Sequence, residues 1–89
     1  MNRKTLKELC DLHWLKTMVG SIAEDRGCES EVNFDKCEVE IGFESKVNAD
    51  IAFGEINEEL NACGLSLKKV AWKCSDTSML CKIEEKDND

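Results

Sequence analysis

Cys10 and His13 are the pair of residues whose types and spacing come closest to a metal site. Two residues three positions apart on a helix lie on the same face, and zinc binds both thiolate and imidazole. A tetrahedral site needs two more ligands, but the sequence contains no CxxC motif and no second histidine. The same pair could serve as a thiol nucleophile and its base, although no third group that would orient them is apparent. A cysteine-based metal or redox protein is therefore the alternative interpretation, and no metal ligand or catalytic residue is assigned.

Six cysteines in 89 residues also raise the question of disulfide bonds. They are Cys10, Cys28, Cys37, Cys63, Cys74 and Cys81. The N-terminal segment carries charges but lacks the apolar run of a secretory signal, which predicts a reducing, cytoplasmic environment. The sequence therefore favours cysteines that act as small buried hydrophobic residues, and disulfide bonds are the alternative.

Acidic residues dominate the centre of the chain. Between Glu24 and Glu59 there are twelve carboxylates and three cations, a local balance of −9 within a whole-chain charge of −7. Charge of one sign on a small domain selects the partners that approach it. The sequence thus predicts a non-enzymatic module that binds a basic protein surface, such as an inhibitor of nucleic-acid-binding machinery. The carboxylates assigned to this contact are Glu38, Glu40 and Glu44 on strands and Glu55, Glu58 and Glu59 on a helix. The alternative is that the charge only keeps the domain soluble.

Three lysines between positions 68 and 73 surround Trp72, a pattern that resembles the stacking platforms of single-stranded nucleic-acid binders. Trp72 is, however, in phase with Val70 and Cys74, which predicts a place in the core. Three cations on a chain this acidic also argue against direct nucleic-acid binding. The sequence shows no phosphate-loop or metalloprotease motif, and no run of the ~18 apolar residues that a membrane span requires. We therefore expect no cofactor and no membrane contact.

The elements that position these residues begin with a helix, predicted over residues 5–25. A capping box starts at Thr5, and Gly27 can take the left-handed conformation that ends a helix. Apolar residues cover most of the circumference, which is typical of a helix shared between a core and a partner. Leu12 and Leu15 are therefore candidates for a partner contact or a homodimer seam.

Alternating apolar residues over 30–43 predict β-structure. The parity of the alternation changes at Asp35-Lys36, which fits either a tight hairpin or a bulge within one long strand. In both cases the core face carries Cys37, Val39, Ile41 and Phe43.

Helical spacing of apolar residues favours a second helix over 48–63, capped by Asn48 or Asp50 and ended by Gly64. A strand that starts at Val47 is the alternative for the first part of this segment.

Residues 65–74 and 79–84 are predicted to form a second hairpin. The expected fold is a single small α+β domain in the order α-β-β-α-β-β, with a four-stranded antiparallel sheet and two helices on one face. The domain is expected to span 1–84, and the acidic tail 85–89 is expected to fray.

Overall fold

The computed structural model describes residues 12–73 and 77–85. Within them the elements are α1 (Leu12–Asp25), β1 (Glu29–Asn33), β2 (Glu38–Gly42), α2 (Lys46–Asn61), β3 (Leu65–Lys73) and β4 (Ser78–Glu85). The strands form one antiparallel sheet in the order β1-β2-β4-β3, and both helices contribute to one core. The predicted α+β fold and its element order are thus confirmed. Of the tail expected over 85–89, Glu85 of β4 is paired with Leu65, and residues 86–89 lie outside the described residues.

Helix α1 packs along β1 through one apolar stripe. Leu15, Val19 and Ala23 recur every four residues and are buried in the core. The helix ends as predicted: Gly27 has φ +69°, and the Cys28 amide donates to the Ala23 carbonyl oxygen at 2.8 Å. The expected capping box at Thr5 lies outside the described residues.

Leu15 does not lie on a surface that a partner could reach. The sequence predicts it as a partner or homodimer contact, but its side chain is 0% exposed. The physical reason is that α1 covers the β1 side of the sheet with a single stripe, and Leu15 is part of that stripe. The side chain of Leu12, the other residue of the predicted seam, lies outside the described residues.

The parity change at Asp35-Lys36 marks a hairpin turn between β1 and β2. The Lys36 amide donates to Asn33 Oδ1 at 3.2 Å, and Cys37 leaves the turn with φ +56°. The predicted core face of the second strand is correct, since the residues buried there are Cys37, Val39, Ile41 and Phe43.

Helix α2 begins before either predicted cap. Ser45 is the N-cap, and its Oγ accepts a hydrogen bond from the Asn48 amide at 3.4 Å. Asn48 and Asp50 therefore lie inside the helix, because the serine hydroxyl satisfies a first-turn amide earlier in the chain. Gly64 has φ +80° and follows the end of the helix as predicted. The residues of α2 that face the sheet are Ala49, Ala52, Ile56 and Leu60.

Strand β3 differs from the prediction in the phase of its side chains. Leu65 and Leu67 are buried, whereas Val70 is 54% exposed and Trp72 is 43% exposed. A β-bulge causes the difference: Lys69 lies opposite Cys81 and Ala71 opposite Leu80, which leaves Val70 without a cross-strand partner. Cys74, the third member of the predicted face, lies outside the described residues.

Candidate partner-binding surface

The uncovered face of the sheet carries charged side chains from all four strands. Side chains alternate along a strand, so the burial of Val39 and Ile41 turns Glu38 and Glu40 towards the open face. Antiparallel pairing adds β1, where Glu31 lies opposite Glu40. Four carboxylates of β1 and β2 therefore share this surface, and we name this part of it the acidic sheet face: Glu29, Glu31, Glu38 and Glu40.

Repulsion within the acidic sheet face is not relieved by ion pairing. Glu31 and Glu40 are direct cross-strand neighbours, an arrangement that destabilises a sheet when both carry the same charge. The ion pairs among the described residues are Arg26–Glu55 and Lys69–Asp50, and both lie elsewhere. Sheet architecture alone does not require carboxylates at these positions, and the like-charge pair Glu31–Glu40 is unfavourable for folding.

One hydrogen bond orients a carboxylate of this face. The buried hydroxyl of Ser78 donates to Glu40 Oε2 at 2.8 Å. Beside it is a shallow depression of about 160 Å³, whose lining includes Glu31, Glu38 and Leu80. Glu40 is thus held by β4 through one of its carboxylate oxygens.

Lysines occupy the other half of the same open face. Lys68 and Lys82 are cross-strand neighbours on β3 and β4, and Lys73 lies opposite Ser78. Lys82 is also opposite Glu38, and Lys36 and Lys73 border the depression, but none of these cations is within ion-pairing distance of a described carboxylate. The open face therefore has an acidic half on β1 and β2, whereas the half on β3 and β4 carries lysines together with Glu84.

The six carboxylates that the sequence predicts for one contact do not share one surface. Glu38 and Glu40 belong to the acidic sheet face, and Glu44 is exposed in the connection between β2 and α2. The other three lie on α2, which packs against the opposite side of the sheet: Glu55, Glu58 and Glu59. The negative potential of the chain is consequently split between two sides of the molecule.

Glu55 is also partly neutralised. Arg26 Nε lies 2.6 Å from Glu55 Oε1, and this hydrogen bond, supported by the charge of the guanidinium, lowers the pKa of the carboxyl and raises that of Arg26. The pair is exposed on both sides and joins α2 to the end of α1.

Glu29 and Glu31 are the members of the acidic sheet face that the sequence prediction omitted. Their signal was the alternation in Glu29-Ser30-Glu31-Val32, which places both carboxylates opposite in parity to the half-buried Val32. A strand assumed to begin at residue 30 excludes Glu29, although the pairing with β2 begins there.

Burial makes two of the described cysteines less reactive than an exposed thiol. Cys28, Cys63 and Cys81 are free thiols, and only Cys63 is exposed. Burial raises the pKa of the Cys81 thiol to about 12, against a smaller opposing effect of the Lys69 charge, and burial also raises the pKa of Cys28. A nucleophilic or metal-binding cysteine needs the opposite shift, because the thiolate is the reactive form.

The described residues contain no group of three or more histidine, cysteine, aspartate or glutamate side chains placed to hold a metal ion. Cys10 lies outside the described residues, so the pairing of Cys10 with His13 stays a prediction.

Neither described helix combines the length and apolar character needed to cross a membrane. No protein-family model, curated protein or solved structure was found to match the chain. Function is therefore inferred from the chemistry of the described surfaces.

Proposed function

We propose that the protein is a non-enzymatic binding module whose acidic sheet face recognises a basic surface on another protein. The observation that carries this proposal is the cluster of four carboxylates on two paired strands, none of them in an ion pair with a described cation. The like-charge pair Glu31–Glu40 within it costs folding energy, and a cationic partner would remove that cost on binding.

The geometry of the face suits lysine or arginine side chains on a partner. Paired strands lie about 4.8 Å apart, and alternate residues along a strand are about 7 Å apart. A cation inserted between Glu31 and Glu40 would contact both carboxylates, and an arginine could bind one of them through two parallel hydrogen bonds. Complementary charge of this kind mainly accelerates association and selects the partner.

Basic protein surfaces of this type include the grooves that bind nucleic-acid phosphates. In our proposal the module obstructs such a groove, as an inhibitor of nucleic-acid-binding machinery, and does not itself bind nucleic acid. The free thiols of Cys28, Cys63 and Cys81 support a reducing compartment, and we place the interaction in the cytoplasm.

A charge-reversal pair tests the proposal. Glu29→Lys with Glu31→Lys changes two exposed carboxylates of the edge strand β1, and the lysine introduced at position 31 would face Glu40 without a clash of charge. We expect capture of a basic protein from an extract of the source cells, identified by mass spectrometry, and a loss of affinity of at least tenfold in the variant. Binding by the unaltered protein should weaken steeply with added salt.

Glu58→Lys with Glu59→Lys is the matched control, since it makes the same change of net charge on α2. Affinities are compared at concentrations where sedimentation shows every variant to be monomeric. Equal loss of affinity in both variants would show that net charge, and not the acidic sheet face, drives binding. Capture that survives both the β1 reversal and high salt would overturn the proposal.

A further inference from the structure

The exposed large hydrophobic residues among the described residues are gathered on two neighbouring elements. Val47 and Ile51 on α2 are 67% and 40% exposed, and Val70 and Trp72 on β3 make up the rest. Contacts join the two elements at this point: Lys46 Nζ lies 5.0 Å from the centre of the Trp72 ring. We name the four hydrophobic residues together the α2–β3 patch.

Lys69 makes two contacts with α2 beside the α2–β3 patch. Lys69 Nζ lies 2.6 Å from Asp50 Oδ1 and 5.2 Å from the centre of the Phe53 ring. Asp50 is thus neutralised from within the chain. A surface with several apolar side chains and few unpaired charges is typical of an interface, whereas a single exposed hydrophobic residue needs no explanation.

Gly54 lies on the same side of α2 as Val47 and Ile51, and no described neighbour requires a glycine at this position. It follows Val47 and Ile51 at helical spacing, on the side of the helix opposite to the buried residues. A Cβ built on Gly54 would meet nothing within 4 Å, so internal packing does not require glycine. Glycine in a helix interior is unfavourable relative to alanine, and its use is to let another backbone approach closely.

We propose that the α2–β3 patch is a homodimer interface, in which α2 of one copy packs antiparallel against α2 of a second copy across Gly54. A two-fold axis between Ile51 and Gly54 sets Ile51 of each copy against Gly54 of the other. The same register brings Lys46 of each copy to Glu58 of the other. Charge therefore complements itself along the paired helices, because the cation lies at one end of α2 and its unpaired carboxylates at the other.

The net charge of the chain does not oppose this contact strongly. The acidic sheet faces point away from the paired helices, on the far side of a molecule whose smallest dimension is 22 Å. Charges are screened over about 8 Å at physiological ionic strength, so repulsion between the two sheets is weak across the dimer. The interface is small beside the roughly 800 Å² per partner of a standard complex, and we expect a reversible dimer that grows with concentration.

Sedimentation equilibrium over a range of concentrations tests the proposal. The weight-average mass should rise from that of a 10.0 kDa monomer towards twice this value. Ile51→Glu should weaken self-association at least tenfold. The matched control is Asn48→Glu, which adds the same charge to an exposed position of the same helix at the N3 position of the Ser45 cap and should leave the dimer unchanged. A protein that remains monomeric at about 1 mM overturns the proposal, because a dimer with a Kd below about 1 mM would be well populated at that concentration.

Gly54→Ala separates the interface from folding. The variant should unfold at a higher temperature, because alanine favours the helix and its Cβ meets no neighbour, yet it should dimerise at least fivefold more weakly. A dimer that tolerates both Ile51→Glu and Gly54→Ala would show that self-association uses another surface.

Cross-linking with a carbodiimide tests the register directly. This reagent joins an amine to a carboxylate that it touches, and Lys46 lies about 18 Å from Glu58 within one helix at 1.5 Å per residue. A covalent link between the peptides that contain these residues must therefore come from two copies. Cross-linked dimers that lack this link would contradict the antiparallel pairing.

Discussion

Cys81 shows how a residue type associated with reactivity becomes inert through its surroundings. Its side chain lies in the core between β2 and β3, opposite both Val39 and Lys69 in the ladder, and burial raises its pKa to about 12. Desolvation penalises the charged thiolate, so the neutral thiol persists far above the pH of the cell. The preference of the sequence for buried, unactivated cysteines is thus explained by packing at Cys81 and Cys28.

Thiol labelling of the native protein should discriminate among the described cysteines. With a pKa of about 12, the thiolate fraction of Cys81 at pH 8 is about 10⁻⁴, and burial adds a steric barrier. We expect iodoacetamide to modify exposed Cys63 readily, while Cys28 and Cys81 react only after unfolding in urea. Peptide mapping by mass spectrometry measures each site, and native labelling of Cys81 at the rate of Cys63 would contradict this assignment.

Strand β3 marks the point where prediction from alternation fails. Leu65 and Leu67 carry one parity, and Val70 and Trp72 carry the other, so any uniform strand buries only one of the pairs. The bulge at Val70 shifts the phase between them, which puts Trp72 opposite Met79 but beyond the main core. Valine is common in strands, so the residue type at position 70 does not predict a bulge there.

Elsewhere the elements follow from the sequence more directly. The positive φ angles at Gly27 and Gly64 and the buried parity of β2 repeat what spacing alone indicates. The start of α2 cannot be predicted in this way, because Ser45, Asn48 and Asp50 are all acceptable caps by residue type. Only the folded backbone selects Ser45.

The free edge of β3 is closed by a side chain of α2. Asn57 Oδ1 accepts a hydrogen bond from the Leu67 amide at 2.8 Å. Asn57→Ala removes the acceptor, and we expect hydrogen exchange at the Leu67 amide to accelerate at least tenfold by NMR. Asn57→Asp is the control, because a carboxylate oxygen can still accept the bond; equal protection in all three proteins would show that the contact does not hold the edge.

At the scale of the molecule, carboxylates from one acidic stretch of the sequence lie on different surfaces of the fold. Sequence predicts the sign of the charge and the presence of Glu38 and Glu40, but it does not predict that Glu58 and Glu59 lie behind the sheet. That separation depends on the packing of α2 on one face, which no local pattern specifies.

Relief of repulsion on the acidic sheet face should be measurable as stability. Glu31→Lys replaces a like-charge cross-strand pair with an attractive pair opposite Glu40. We expect the free energy of unfolding in urea to increase by about 0.2–1 kcal/mol. Glu44→Lys is the control, since Glu44 lies outside the strands. An unchanged or lower stability for Glu31→Lys alone would show that the carboxylates of this face do not strain the sheet.

The two edge strands of the sheet are protected by different means against pairing with a further strand, so the two edges differ in what they can bind. At β3, a carboxamide and a bulge prevent a further backbone from continuing the ladder. At β1, the described residues that deter one are Glu29 and Glu31, through their charges. An extended segment rich in lysine would cancel that deterrent as it docked, so it could enter as a fifth strand beside β1, whereas an acidic segment would be repelled there.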